Sequence, residues 1–133
     1  MGILQTLKNL FSPGSHVRLG LGAQDTQEIK RKWAEIEQLM SLGKPSNFKI
    51  AILEADKIFD HVLKLFGYPG QTMADRIKAI PRDKFDRDFF DNIWQAHILR
   101  NRMVHNMSYE VQDFEARKAI KQFEAALREL RVL

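Results

Sequence analysis

The chain has 133 residues, of which 44% are hydrophobic and 29% charged, enough for one domain with a real core and too apolar for a disordered segment. It contains no cysteine, which excludes disulfides, thiolate metal sites and cysteine nucleophiles and fits a reducing, cytoplasmic location. The net charge of +4 is too small to define a partner: residues 1–24 hold Lys8, Arg18 and no acid, so residues 25–133 carry an excess of only two.

Residues 1–24 read as an N-terminal amphipathic segment and flexible linker. Ile3, Leu4, Leu7, Leu10 and Phe11 recur at helical spacing, and the Gly and Pro residues of "SPGSHVRLGLG" mark the linker. Gly2 and Thr6 fit the loose myristoylation pattern. Weak docking of residues 1–11 on a membrane surface or a partner is the functional expectation, and a mobile tail is the alternative.

From residue 25 the periodicity is helical throughout. "DTQE" predicts a capping box with Asp25 as N-cap and a helix to about Met40, its inner face carrying Ile29, Trp33, Ile36 and Met40. "SLGKPS" breaks it. A second helix is expected from about Asn47 to Phe66, with Phe48, Ile52, Ala55, Phe59, Val62 and Phe66 as its stripe. "GYPG" ends it, and "TMAD" starts a short helix to about Ile80, stopped by Pro81.

A long helix from about Lys84 to His105 follows, with Phe85, Phe89, Ile93 and Ala96 inward and Asn106 as a left-handed C-cap. The last helix covers about Gln112 to Leu130, with Ala116, Ala119, Ile120, Phe123, Leu127 and Leu130 inward. No stretch alternates with period two. Residues 25–133 are therefore expected to form an all-α domain, an antiparallel four-helix bundle with one short additional helix. Trp33 and Trp94 continue apolar stripes and are expected to pack rather than to stack on bases.

"HILRNRMVHN", residues 97–106, concentrates the chemistry. At about 100° per residue, His97, Asn101 and His105 form one polar ridge, drifting about 40° at each step. Arg100 and His105 point about 140° apart on a straight helix. They can converge only if the arginine bends round, if the helix ends early, or if a second copy completes the site. A histidine moves protons near neutrality, an arginine clamps a phosphate, and an asparagine orients either. A helix C-terminus favours positive charge, which suits His105.

A metal site is the weaker reading. His97 and Asn101 have ligand spacing, and Asp56 and Asp60 could add oxygens from another helix, but no H-E-x-x-H pattern occurs. No phosphate-loop or serine-nucleophile motif is present either. No metal or cofactor is expected.

"RNRMVH", Arg100-Asn101-x-x-x-His105, resembles the R-x4-6-H motif of the HEPN superfamily, whose arginine is often followed by Asn, Asp or His. "EADKIFDHVLKLFGYPGQTMADRIK" at 54–78, followed by "IWQAHILRNRMVH", also resembles small bacterial proteins with HEPN-like bundles. The resemblance covers about residues 30–133. It implies a bundle of four or five helices with the motif late in the chain.

It also implies a homodimer with two motifs facing one cleft, and metal-independent cleavage of RNA in a toxin–antitoxin or defence setting. The catalytic residues would be Arg100, Asn101 and His105, with His97 and Asp56 accessory. The partners would be an RNA substrate and an antitoxin or nucleotidyltransferase. The alternative is a non-catalytic HEPN-like module that binds nucleotide, RNA or protein.

Overall fold

The computed structural model describes residues 21–133, so the amphipathic segment, the myristoylation pattern and most of the linker lie outside the described residues. The described chain is all-helical: α1 (Ala23–Ser41), α2 (Pro45–Leu65), α3 (Met73–Ala79), α4 (Arg87–His105) and α5 (Asp113–Glu129). No strand occurs among the described residues. α2 packs against each of the other four helices, and α4 and α5 pack on each other.

That central place follows from composition. Phe48, Ala51, Ile52, Ala55, Phe59, Val62 and Leu63 of α2 are all buried, a stripe wide enough to serve several neighbours. Phe59 is fully buried, its ring 6.5 Å from that of Phe89 on α4 and 6.1 Å from that of Phe123 on α5. Burying one such side chain contributes roughly 1.5–3 kcal/mol. Trp33 is buried as expected, whereas Trp94 is only half-buried, its ring 6.5 Å from that of His97.

Several helix boundaries differ from the sequence reading, each for a local reason. The N-cap of α1 is Gly22, not Asp25. The Asp25 carboxylate sits three residues inside and accepts a hydrogen bond from the Gly22 N–H at 3.0 Å. α4 begins at Arg87 rather than Lys84, because Asp86 caps it through Phe89 N–H at 3.0 Å. Phe85 stays outside and stacks on Phe89 with ring centroids 4.1 Å apart, fixing how the chain enters the helix. Asn106 follows the last turn of α4 but is extended (φ −126°), not left-handed; its side-chain Oδ1 accepts from the Ser108 N–H and hydroxyl instead. The box at α3 forms in part: Thr72 accepts from Asp75 N–H, while Asp75 accepts from Gln71 N–H.

α2 and α5 end in the same cap. In α2, Gly67 (φ 83°) lets its own N–H reach the Lys64 carbonyl and Tyr68 N–H reach that of Leu63. In α5 the left-handed position is Arg131 (φ 61°), with Val132 N–H on the Leu127 carbonyl. Val132 is buried, so the apolar contact that accompanies this cap holds Arg131 where a glycine would be easier.

Candidate functional site

α2 and α4 bring Asp56 and His97 together, both buried, with His97 Nδ1 2.8 Å from Asp56 Oδ1. One turn on, Asn101 Nδ2 lies 3.4 Å from His97 Nε2. An Arg100 terminal nitrogen donates to Asn101 Oδ1 at 3.1 Å, and Arg100 Nε approaches Asp56 Oδ2 at 3.4 Å. The four side chains form a closed ring. With the His97 proton on Nδ1, three donor and acceptor roles match: Asp56 accepts from His97, His97 Nε2 accepts from Asn101, and Asn101 accepts from Arg100.

Arg100 Nε is buried and makes no hydrogen bond, so its contact with Asp56 is purely electrostatic. The Arg100 side chain is still 33% exposed. A guanidinium held by a buried carboxylate and partly open to water can receive a phosphate oxygen without first being ordered.

His105 stands apart. It is the last residue of α4, exposed, and no described residue makes a hydrogen bond or ion pair with it. Because α4 stays helical through His105 and Arg100 turns toward Asp56 on α2, the two do not converge within one chain. Of the sequence candidates, the structure joins Asp56, His97, Asn101 and Arg100 and leaves His105 outside the ring.

Asp60, one turn from Asp56, is committed elsewhere. Arg76 Nε donates to it at 2.8 Å, and another Arg76 nitrogen donates to the Gly70 carbonyl. Burial pushes the Asp60 carboxyl up, but Arg76 and Lys64 together outweigh this and hold it below the usual carboxylate range. Among the described residues no group of three or more histidines and carboxylates could hold a metal ion.

The opposite side of α4 carries residues the motif search did not single out. A groove between α4 and α5 is lined by Gln95, Ile98, Arg102, Phe114, Lys118 and Gln122. Phe114 is 72% exposed. It lies out of phase with the α5 stripe, which is the sequence signal that could have flagged it. No described helix is long and apolar enough to cross a membrane. Comparison with protein-family models, curated proteins and solved structures found no match for this chain.

Proposed function

We propose that the chain is a metal-independent endoribonuclease of HEPN type, working in the cytoplasm as a homodimer whose two copies of Arg100 and His105 line one cleft. The observation that carries this reading is the division of labour on α4: Arg100 is positioned by a buried carboxylate, while His105 is exposed and uncommitted five residues later. The fold supports it. Asp56 of α2 meets His97 and Arg100, while Phe59 meets the earlier Phe89, so α2 and α4 run in opposite senses. Short connections from α1 to α2 and from α4 to α5, with α3 inside the longer crossover from α2 to α4, fit the HEPN-like antiparallel bundle with one additional helix.

In the proposed reaction His105 takes the proton of a ribose 2′-OH as that oxygen attacks the adjacent phosphorus. Arg100 stabilises the charge gathering on the phosphoryl oxygens. Asn101 fixes the Arg100 fork. The bond to the 5′-oxygen breaks, and a histidine of the partner copy returns a proton to it. The products are a 2′,3′-cyclic phosphate and a 5′-hydroxyl. An antitoxin or nucleotidyltransferase partner, in a toxin–antitoxin or defence system, would restrain such an activity.

The test is a panel of RNAs incubated with the full chain and EDTA. Cleavage should survive the chelator, spare all-deoxy substrates, and fall by roughly 10²–10⁴-fold in His105→Ala. An intact panel, or equal cleavage by His105→Ala, would sink the proposal. One observation favours a second reading, a non-catalytic module. Arg100 is already engaged by Asp56 and Asn101, and no described residue shares a hydrogen bond with His105. That reading predicts binding without turnover, and weaker phosphate binding in Arg100→Ala.

A further inference from the structure

The groove between α4 and α5 differs from the rest of the surface in its charge balance. Its carboxylates are already matched within the chain: Asp113 pairs with Arg117 at 2.7 Å, and Glu115 accepts from the Tyr109 hydroxyl and from Gln112 N–H. Arg102 reaches the Tyr109 hydroxyl and lies over its ring. Lys118 and Lys121 pair with no acid among the described residues, and both are exposed. Four cations therefore face two anions, and this excess of two equals the whole excess of residues 25–133.

Between these cations stands Phe114, 72% exposed at the start of α5 and shared by the two adjoining hollows of the groove. Gln95 and Gln122, joined by a 2.7 Å hydrogen bond, supply amides along the floor. An open aromatic face flanked by unpaired cations and amides is the chemistry that holds unstacked bases and their phosphates. His105 is not part of the groove's lining but lies one turn beyond Arg102 on α4. At 100° per residue, His105 lies about 20° round α4 from Ile98 and about 60° from Arg102, both of which line the groove.

We infer that the α4–α5 groove is a binding track for single-stranded RNA, with a base stacked on Phe114 and phosphates on Lys118 and Lys121, leading the strand to His105. This rests on the ribonuclease reading for the direction of the strand, not for the binding itself. Stacking and phosphate contacts do not read the 2′-OH, so single-stranded DNA of the same sequence is expected to bind comparably. A duplex hides its base faces and is expected to bind at least about tenfold more weakly.

The test uses the full chain carrying His105→Ala, which prevents turnover, and a fluorescein-labelled single-stranded RNA of about twelve nucleotides. Anisotropy is read across a salt series. Adding Phe114→Ala should weaken binding roughly tenfold or more without changing the salt slope, and Phe114→Trp should restore it. The pair Lys118→Gln and Lys121→Gln should weaken binding and make the slope shallower by about 1.4. Absence of RNA binding, unchanged affinity and slope in both variants, or equal binding of duplex would overturn the proposal. Its failure is separable from that of the nuclease. Cleavage dependent on His105 with no effect of these variants removes the track alone. The expected binding pattern with no cleavage by the unaltered chain removes the nuclease alone.

Discussion

On the side of α4 that faces α2, four polar side chains hold one another, with the buried Arg100 Nε left without a hydrogen bond. Asp56, His97, Asn101 and Arg100 close a ring in which each contact leads to the next. On the side that faces α5, a phenylalanine stands in water and two lysines have no acidic partner among the described residues. The first side costs desolvation and recovers it internally, so it rigidifies the helix and aims Arg100. On the second, α4 and α5 pack on each other and Gln95 meets Gln122, but Phe114, Lys118 and Lys121 at the rim stay open to water. One helix therefore has an ordered half toward α2 and an open half, the rim shared with α5, and His105 is exposed at its C-terminal end between the two.

The largest expected effect breaks the ordered half. Asp56→Ala leaves the His97 ring N–H and the Arg100 guanidinium without their anion, both inside or at the edge of the core. Removing one member of such a cluster costs about 3–5 kcal/mol when both partners are fully buried. Arg100 is one-third exposed and can swing to water, so a loss of about 3 kcal/mol is expected. For a domain of this size that lowers the melting temperature by about 10 °C. Asp56→Asn keeps the shape and should cost clearly less. A loss below about 1 kcal/mol in Asp56→Ala would make the ring an ordinary surface cluster.

A smaller effect separates Asp56 from the carboxylate one turn further on. Asp60 faces Arg76 and Lys64, and its carboxyl is held below the ordinary value. A carboxyl whose folded-state value is depressed adds stability above its unfolded value of about 3.9, and that stability is lost as pH falls through the lower folded value. Urea midpoints measured from pH 6 down to pH 3 should fall less steeply in Asp60→Asn than in the unaltered chain below about pH 4. Parallel curves would mean that the Arg76 pair titrates alike in both states and ties α3 to α2 by geometry alone.

The ordered half was largely legible in the sequence, and the open half was not. Periodicity placed His97, Asn101 and His105 on one ridge, of which only the first two join the ring, and straight-helix geometry separated Arg100 from His105. Asp56 stood four residues from Asp60 on the same helix, and spacing alone could not say which would meet α4; only the crossing of α2 and α4 decides that. The boundaries failed where one residue can serve two roles. Asp25 can cap a helix or sit three residues inside one, and Gly22 took the cap. Asn106 tolerates the left-handed conformation, yet its side chain found Ser108 and the backbone stayed extended. Phe114 passed unnoticed because stripe reading collects the residues in phase and sets aside those out of phase, which is where a ligand-facing aromatic must be.

The smallest expected effect bears on whether the open half is truly open. An aromatic that is 72% exposed has little burial to lose, so Phe114→Ala should change unfolding stability by no more than about 0.5 kcal/mol. The same variant is expected to weaken single-stranded RNA roughly tenfold or more, so binding and stability would move independently. A stability loss above about 1 kcal/mol would mean that something covers Phe114 in solution, and concentration then identifies it. A second copy makes the loss depend on protein concentration, whereas a segment of the same chain does not. In either case the ring would be a packing residue, and the contrast between the two sides of α4 would collapse to a difference in what each side packs against.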